Sequence, residues 1–233
     1  MIQEGSGEYC GQELEIFADA RRWRSYWFGF IRQYLGPEVL EVGAGLGSVT
    51  RFASTAHVGW TAVEPDESLA RRIREGNQAA SVRILAGTID AVPRGDLFDS
   101  VLYADVLEHI ENDAEELEKA FRLVRPGGHL IVLSPAHAWL YSRFDAGVGH
   151  FRRYSIESLV ACTPTGGFVE RVAYLDSVGL IASAANRFLL RSTVPSQRQI
   201  AIWDRLMIPM SRWLDKILRW RVGKSVVVVW RKQ

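Results

Sequence analysis

The residues richest in chemistry run Val39-Leu40-Glu41-Val42-Gly43-Ala44-Gly45-Leu46-Gly47: an apolar strand, an acidic residue, then three alternating glycines ahead of a helix-like segment. Glycine admits positive φ and lets a ligand lie close against main-chain N–H groups at a helix start. A dinucleotide fingerprint reads Gly-x-Gly-x-x-Gly, with a pyrophosphate over the helix N-terminus. Here the third glycine comes one residue early, and Glu41 stands two residues before the first. A carboxylate at that place repels a pyrophosphate and suits a cation. S-adenosylmethionine, with a sulfonium and an α-ammonium and no phosphate, fits this charge better than NAD(P) does.

The elements that must position the loop follow in order. Residues 58–63 read as a second strand ending at Glu64-Pro65, where a carboxylate can accept hydrogen bonds from ribose hydroxyls. Residues 82–86 read as a third strand leading into Gly87-Thr88-Ile89-Asp90, residues 98–103 as a fourth, and Arg125-Pro126-Gly127-Gly128 as a turn before a fifth at 130–133. Helical patterns at 48–54, 67–75 and 113–124 separate them, which implies parallel βαβ units. Residues 12–35 read as one helix, because Phe17, Ala20, Trp23, Trp27, Phe30, Ile31 and Tyr34 recur three or four apart before Gly36-Pro37. An irregular stretch at 134–154 is long enough to carry function. A helix at 156–162, a strand at 168–175, a helix at 180–190 and a Val-rich last strand at 225–231 complete the reading, and the Gly-rich residues 1–11 read as flexible.

In this order the motifs resemble the class I S-adenosylmethionine-dependent methyltransferases, over roughly residues 12–233. The likeness rests on the Glu-x-Gly-x-Gly-x-Gly loop, the strand end at Glu64, Phe98-Asp99-Ser100-Val101 leading into Leu107-Glu108-His109-Ile110, and the Arg-Pro-Gly-Gly turn. The segment Gly149-His150-Phe151-Arg152-Arg153-Tyr154 resembles a bacterial small-molecule subgroup. The resemblance implies an α/β fold: one domain over 12–233, with a seven-stranded, mostly parallel, doubly wound sheet whose last strand is antiparallel. An N-terminal helix and a helical insertion at 177–223, serving as lid or docking element, would accompany it. It also implies cofactor contacts from Glu41, Gly43, Ala44, Gly45, Gly47, Glu64, Pro65, Gly87, Thr88, Ile89, Asp90 and Asp105. Thr88 stands where many relatives carry Asp, which passes the adenine contact to Asp90 or to backbone groups.

Methyl transfer asks the protein mainly for alignment, and a hydroxyl acceptor is helped by a base, most often histidine near neutral pH. Of the five histidines, His57 and His129 fall at strand starts and read as structural. His150, in the segment after the fifth strand, is the first catalytic candidate, with ordering of its own loop as the alternative; His109 is the second. His137, Arg152, Arg153 and Tyr154 are substrate-side candidates, the arginines matching a carboxylate or phosphate, or else capping the helix after Ser155 and pairing with Glu157. No set of acidic and amide ligands for a divalent ion stands out, so no metal is expected. Ala104-Asp105-Val106-Leu107 replaces the Asn/Asp-Pro-Pro-aromatic turn that grips a planar amine, and there is no basic tail, so no nucleic acid partner is expected.

At 233 residues the chain suits one well-buried domain. Cys10 and Cys162 form no Cys-x-x-Cys pair, which points to a reducing, cytoplasmic setting without a structural zinc. The net charge of +1 hides an asymmetry: residues 1–142 carry 13 basic and 21 acidic side chains, residues 143–233 carry 15 and 6. Between 197 and 221, Trp203, Leu206, Met210, Trp213, Leu214, Ile217 and Trp220 recur three or four apart, while Arg198, Arg205, Arg212 and Arg219 form a row seven apart and Pro209 should kink or split the helix. Such a face reads first as a substrate lid or a homodimer contact; docking on an anionic membrane surface at the inner membrane, or on a lipid-linked acceptor, is the alternative. The reading is methyl transfer from S-adenosylmethionine, leaving S-adenosylhomocysteine, to a small molecule, at oxygen first and lipid- or sugar-linked acceptors included. Its rivals are an NAD(P)-dependent oxidoreductase and a non-catalytic cofactor-binding partner subunit.

Overall fold

Runs of Val, Ile and Leu long enough for a strand but not for a helix make a sheet, and the amphipathic stretches between them cover its faces. The computed structural model describes residues 12–53, 59–76, 82–187 and 196–233. Its strands are β1 (Glu38–Val42), β2 (Gly59–Glu64), β3 (Val82–Ala86), β4 (Phe98–Ala104), β5 (Val124–Pro135), β6 (Gly167–Leu175) and β7 (Ser225–Lys232), in the order β3-β2-β1-β4-β5-β7-β6. β1 to β5 are parallel, whereas β7 runs antiparallel between β5 and β6. The expected sheet is therefore present, with β5 lengthened to take in the Arg125-Pro126-Gly127-Gly128 turn.

Alternation along the strands divides the core in two. Leu102, Ile131 and Val229 face one layer with Trp23, Trp27 and Trp60, while Val101, Tyr103, Leu130 and Trp230 face the other with Leu117 and Phe121. The helices are α1 (Gln12–Ala18), α2 (Arg21–Ile31), α3 (Ser48–Ala53), α4 (Glu67–Gly76), α5 (Asp113–Arg122), α6 (Arg143–Gly147), α7 (Ile156–Val160), α8 (Ser177–Ala185), α9 (Gln197–Ile202) and α10 (Ile208–Ile217). His57 and the segment 188–195 lie outside the described residues.

Two expectations about the helices need correction. The single helix expected over 12–35 is broken at Asp19-Ala20, because α2 has its own cap: Asp204, far along the chain, accepts from Arg22 N at 3.2 Å and Trp23 N at 2.8 Å. As expected, the 197–217 stretch is divided, into α9 and α10, with Pro209 in the first turn of α10. A single wide turn at Trp203–Met207 joins them, and the Arg205 carbonyl, deprived of the N–H that Pro209 lacks, accepts from the Arg22 guanidinium instead. Arg219 sits beyond the helix at φ 52°, so the row of arginines ends at Arg212. Fully buried Asp215 binds the Tyr26 hydroxyl at 2.7 Å and Asp176 N at 2.8 Å; Asp176 binds the Trp203 indole and Ser211, each at 2.7 Å. These satisfied carboxylates fasten α2, α8 and α10 together above the sheet.

Candidate active site

Strand order reverses between β1 and β4, and in open α/β sheets the carboxyl ends at such a point frame a crevice. A cavity of about 1040 Å³ opens there. Glu41 to Leu46, Ala104 and Asp105 form its floor, and Glu108, His109, Ser142, Asp145, His150 and Arg153 form the far wall. Phe17, Trp23, Trp27, Ala182, Ile200 and Trp203, from α1, α2, α8, α9 and the wide turn, form an apolar roof.

Gly43, Gly45 and Gly47 all have positive φ, and a Cβ on Gly43 would fall 2.6 Å from Val106 Cγ2. The loop's donors are not where the sequence placed them. Gly43 and Ala44 both donate to the Val63 carbonyl, at 2.8 and 3.0 Å, and Gly45 donates to the Glu64 carboxylate at 2.7 Å. A pyrophosphate would find those N–H groups spent and a carboxylate beside them. Glu41 accepts from the Thr50 hydroxyl at 2.6 Å and the Trp60 indole at 2.7 Å. Burial pushes its pKa up to about 7 against those two hydrogen bonds. Asp105, held at φ 57°, presents a surface open to the cavity, yet the surrounding protein desolvates it and pushes its pKa up to about 6.

The far wall is assembled by a capping box. Ser142 caps α6 and Asp145 returns the bond to Ser142 N at 2.8 Å, which fixes the buried carboxylate. Asp145 then accepts from Arg153 through Nε at 2.9 Å and Nη2 at 3.1 Å, and stands 3.0 Å from His150 Nδ1. The hydrogen bonds from His150, Arg153 and Ser142 outweigh burial and hold Asp145 well below the usual carboxylate range. An ionised carboxylate only accepts, so Nδ1 of His150 is the donor to Asp145 and Nε2 is the ring nitrogen turned away from it. The His109 ring stands edge-on to His150 at 4.5 Å, and burial with that neighbour lowers its pKa to about 4, leaving it neutral. Phe151 N donates to the Glu108 carbonyl at 2.8 Å and joins the turn after β4 to the segment after β5.

Other candidates stand elsewhere. His137 binds the Gly223 carbonyl at 2.9 Å and stacks on Tyr174 at 4.9 Å, outside the cavity lining. Arg152 pairs with Asp113, not Glu157, and the Tyr154 hydroxyl binds the same carboxylate at 2.7 Å; neither reaches the cavity, because Asp113 draws both toward α5. Gly87, Thr88, Ile89 and Asp90 do not line it either: Ile89 is core, and Asp90 faces Lys119 at 3.5 Å. Glu64 is buried behind the loop, Pro65 is exposed, and Gly47 packs on Ile73. His129 pairs with Glu170 at 3.0 Å, away from the site. Lys224, which the sequence reading passed over, lines the cavity from the start of β7, with Nζ 4.0 Å above the Trp203 ring and 3.6 Å from Asp176. Glu108 and Asp145 were also missed, since only the fold makes them neighbours of His150.

Residues 40–132 match the methyltransferase domain family. The chain is similar to a ubiquinone/menaquinone biosynthesis C-methyltransferase of Roseobacter denitrificans, 29% identical over 123 residues, covering 48% of each chain. It is also similar to a mitochondrial ubiquinone biosynthesis O-methyltransferase of Dictyostelium discoideum, 26% identical over 42% of this chain and 35% of that one. It thus spans about half the length of the first of these relatives and about a third of the second. Coclaurine N-methyltransferase bound to N-methylheliamine and S-adenosylhomocysteine shares the fold, with a TM-score of 0.63 at 13% identity, covering 91% of this chain and 71% of that one. Residues 40–132 thus match a methyltransferase domain, and the chain shares the fold of a solved S-adenosylmethionine-type methyltransferase.

Proposed function

We propose that the protein transfers a methyl group to an oxygen of a small, largely apolar, lipid-linked acceptor that reaches the cavity from an anionic membrane surface. One observation carries the reading: a single cavity joins the glycine loop and its carboxylates to a histidine whose Nε2 is aimed by Asp145, beneath an apolar roof. When bound, the cofactor supplies a methyl carbon already activated by its sulfonium. Glu41 and Asp105 provide the negative charge that a cationic amino acid group requires. Glu64 is the ribose partner, through lone pairs left beyond its bonds to Gly45 and Asp66. His150 takes the acceptor's proton, and Asp145, kept ionised by Arg153, stabilises the imidazolium. The roof from α1, α2 and the 177–223 insertion serves as the lid that excludes water.

Support for a membrane-borne acceptor comes from the outer face of α9 to α10. Ile202, Leu206, Met210, Trp213 and Ile217 recur four, four, three and four apart, and all are exposed. Both acidic residues of this stretch, Asp204 and Asp215, turn inward, which leaves Arg205, Arg212 and Lys216 outside. Ile202 also lines the cavity, so the apolar stripe leads to its mouth. The apolar roof favours a lipid tail over a sugar. A carbon acceptor is the second reading, favoured by the C-methyltransferase relative. The test is calorimetry with S-adenosylhomocysteine and NADH, followed by labelled methyl transfer to prenylated phenols in anionic vesicles. Heat from NADH alone would establish the oxidoreductase reading; cofactor binding without transfer to any acceptor would leave a partner subunit.

A further inference from the structure

The far wall holds a group that proton transfer by His150 does not use. Glu108 is completely buried, one of its oxygens accepts from Ser134 at 2.9 Å, and the other, Oε1, has no hydrogen-bond partner. That orphaned oxygen lies 4.0 Å from His150 Nε2. One ligand atom each from Glu108, His109 and His150 lie within 4.8 Å of one another. A buried carboxylate oxygen without a partner is costly and calls for an explanation, one of which is an ion.

We propose that Glu108, His109 and His150 bind a first-row divalent cation, of the zinc, cobalt or manganese type, on the acceptor side of the cavity. Two imidazoles and one carboxylate on one side, with open positions facing the cavity, form a donor set suited to such ions. Bonds of about 2.0–2.2 Å require these atoms to close in by about 1 Å, within the reach of small side-chain rotations. The outer shell is already built: Asp145 stands 3.0 Å from His150 Nδ1, which turns Nε2 toward Glu108, and Arg153 and Ser142 fix Asp145. This carboxylate–histidine arrangement is how metal-ligating imidazoles are oriented.

The inference rests on the reading of this wall as the acceptor side: with the cation bound the acceptor hydroxyl would ionise on it, and in the metal-free protein His150 Nε2 remains the proton acceptor. The acceptor hydroxyl would take an open position, lose its proton to water, and attack as a bound oxyanion. The O–CH3 bond then forms as the S–CH3 bond breaks, and the sulfur keeps the electron pair.

The test uses the full chain after chelator treatment. Co2+ titration followed by visible absorption, and Zn2+ titration by calorimetry, should each show one equivalent bound with Kd at or below about 10 μM. Glu108→Gln and His150→Gln should each weaken binding at least about tenfold, and Asp145→Asn by about 10- to 100-fold. Circular dichroism and melting of each variant separate lost binding from lost folding, and Gln at 108 matches the shape of the carboxylic acid. No Co2+ spectrum and no Zn2+ heat at 100 μM cation would overturn the site, as would wild-type affinity in both Gln variants. S-adenosylhomocysteine calorimetry on the chelated protein reports the methyltransferase reading separately, so either reading can fail alone.

Discussion

Glu41→Gln tests the electrostatics of the cofactor loop most sharply. Glu41 is 3% exposed, and burial raises its pKa from an ordinary carboxylate value to about 7. A carboxyl whose folded pKa is raised favours folding at low pH, where it is neutral in both states, and costs stability as pH rises through the window between the unfolded and folded values. With 4.5 and 7 as the two ends, the cost is on the order of 1 kcal/mol at pH 5 and on the order of 3 kcal/mol at pH 8. Glutamine is neutral throughout and keeps an acceptor for Thr50 and Trp60. The variant should therefore gain stability over wild type by on the order of 2–3 kcal/mol more at pH 8 than at pH 5. For a chain of this size that is a relative rise in Tm of about 5–10 °C.

Thermal unfolding of both proteins without cofactor, at pH 5, 6, 7 and 8, measures this directly. Titrations common to the two chains largely cancel in the difference. A difference that stays flat within about 0.5 kcal/mol across the series would show that Glu41 ionises without penalty, and the account of the loop would be wrong. The same group predicts the binding signature. If the ammonium of S-adenosylmethionine approaches Glu41, binding near pH 6.5 should release a proton, visible as a dependence of calorimetric heat on the buffer's ionisation enthalpy. Glu41→Gln should abolish that release and weaken binding.

Gly43→Ala places a methyl 2.6 Å from Val106 at φ 72° and should cost more than the ~1–2 kcal/mol of left-handed strain alone, whereas Gly45→Ala, whose Cβ would lie 3.5 Å from Leu14, should cost only that strain; chemical denaturation of both separates the two. His150→Ala should lower kcat by about 10²- to 10⁴-fold while S-adenosylhomocysteine affinity stays within about threefold, and equal activity would return His150 to a structural role. Trp213→Ser with Ile217→Ser should reduce cosedimentation with anionic vesicles at least about tenfold and leave binding of water-soluble cofactor unchanged. Unaltered cosedimentation would assign the exposed stripe to something other than lipid.

What could be read from the sequence had a local cause. Strands announced themselves as Val-rich runs, and the loop at Glu41 to Gly47 as glycines that only a left-handed backbone requires, so the sheet and the floor of the site were both legible. The misread residues are those whose roles are set by partners far along the chain. Asp204 breaks the N-terminal helix by capping α2 from about 180 residues away, and Asp113 takes Arg152 and Tyr154 out of the cavity. The far wall was nevertheless within reach of topology. β4 and β5 are adjacent and parallel, so the segments that leave their carboxyl ends, Leu107-Glu108-His109 and Asp145 to Arg153, must meet above the same edge. Chemistry-bearing residues in those two segments are therefore expected neighbours, whatever their separation in sequence. The Phe151 N to Glu108 carbonyl bond at 2.8 Å is that meeting, and it is why a buried carboxylate and two histidines come within 4.8 Å of one another.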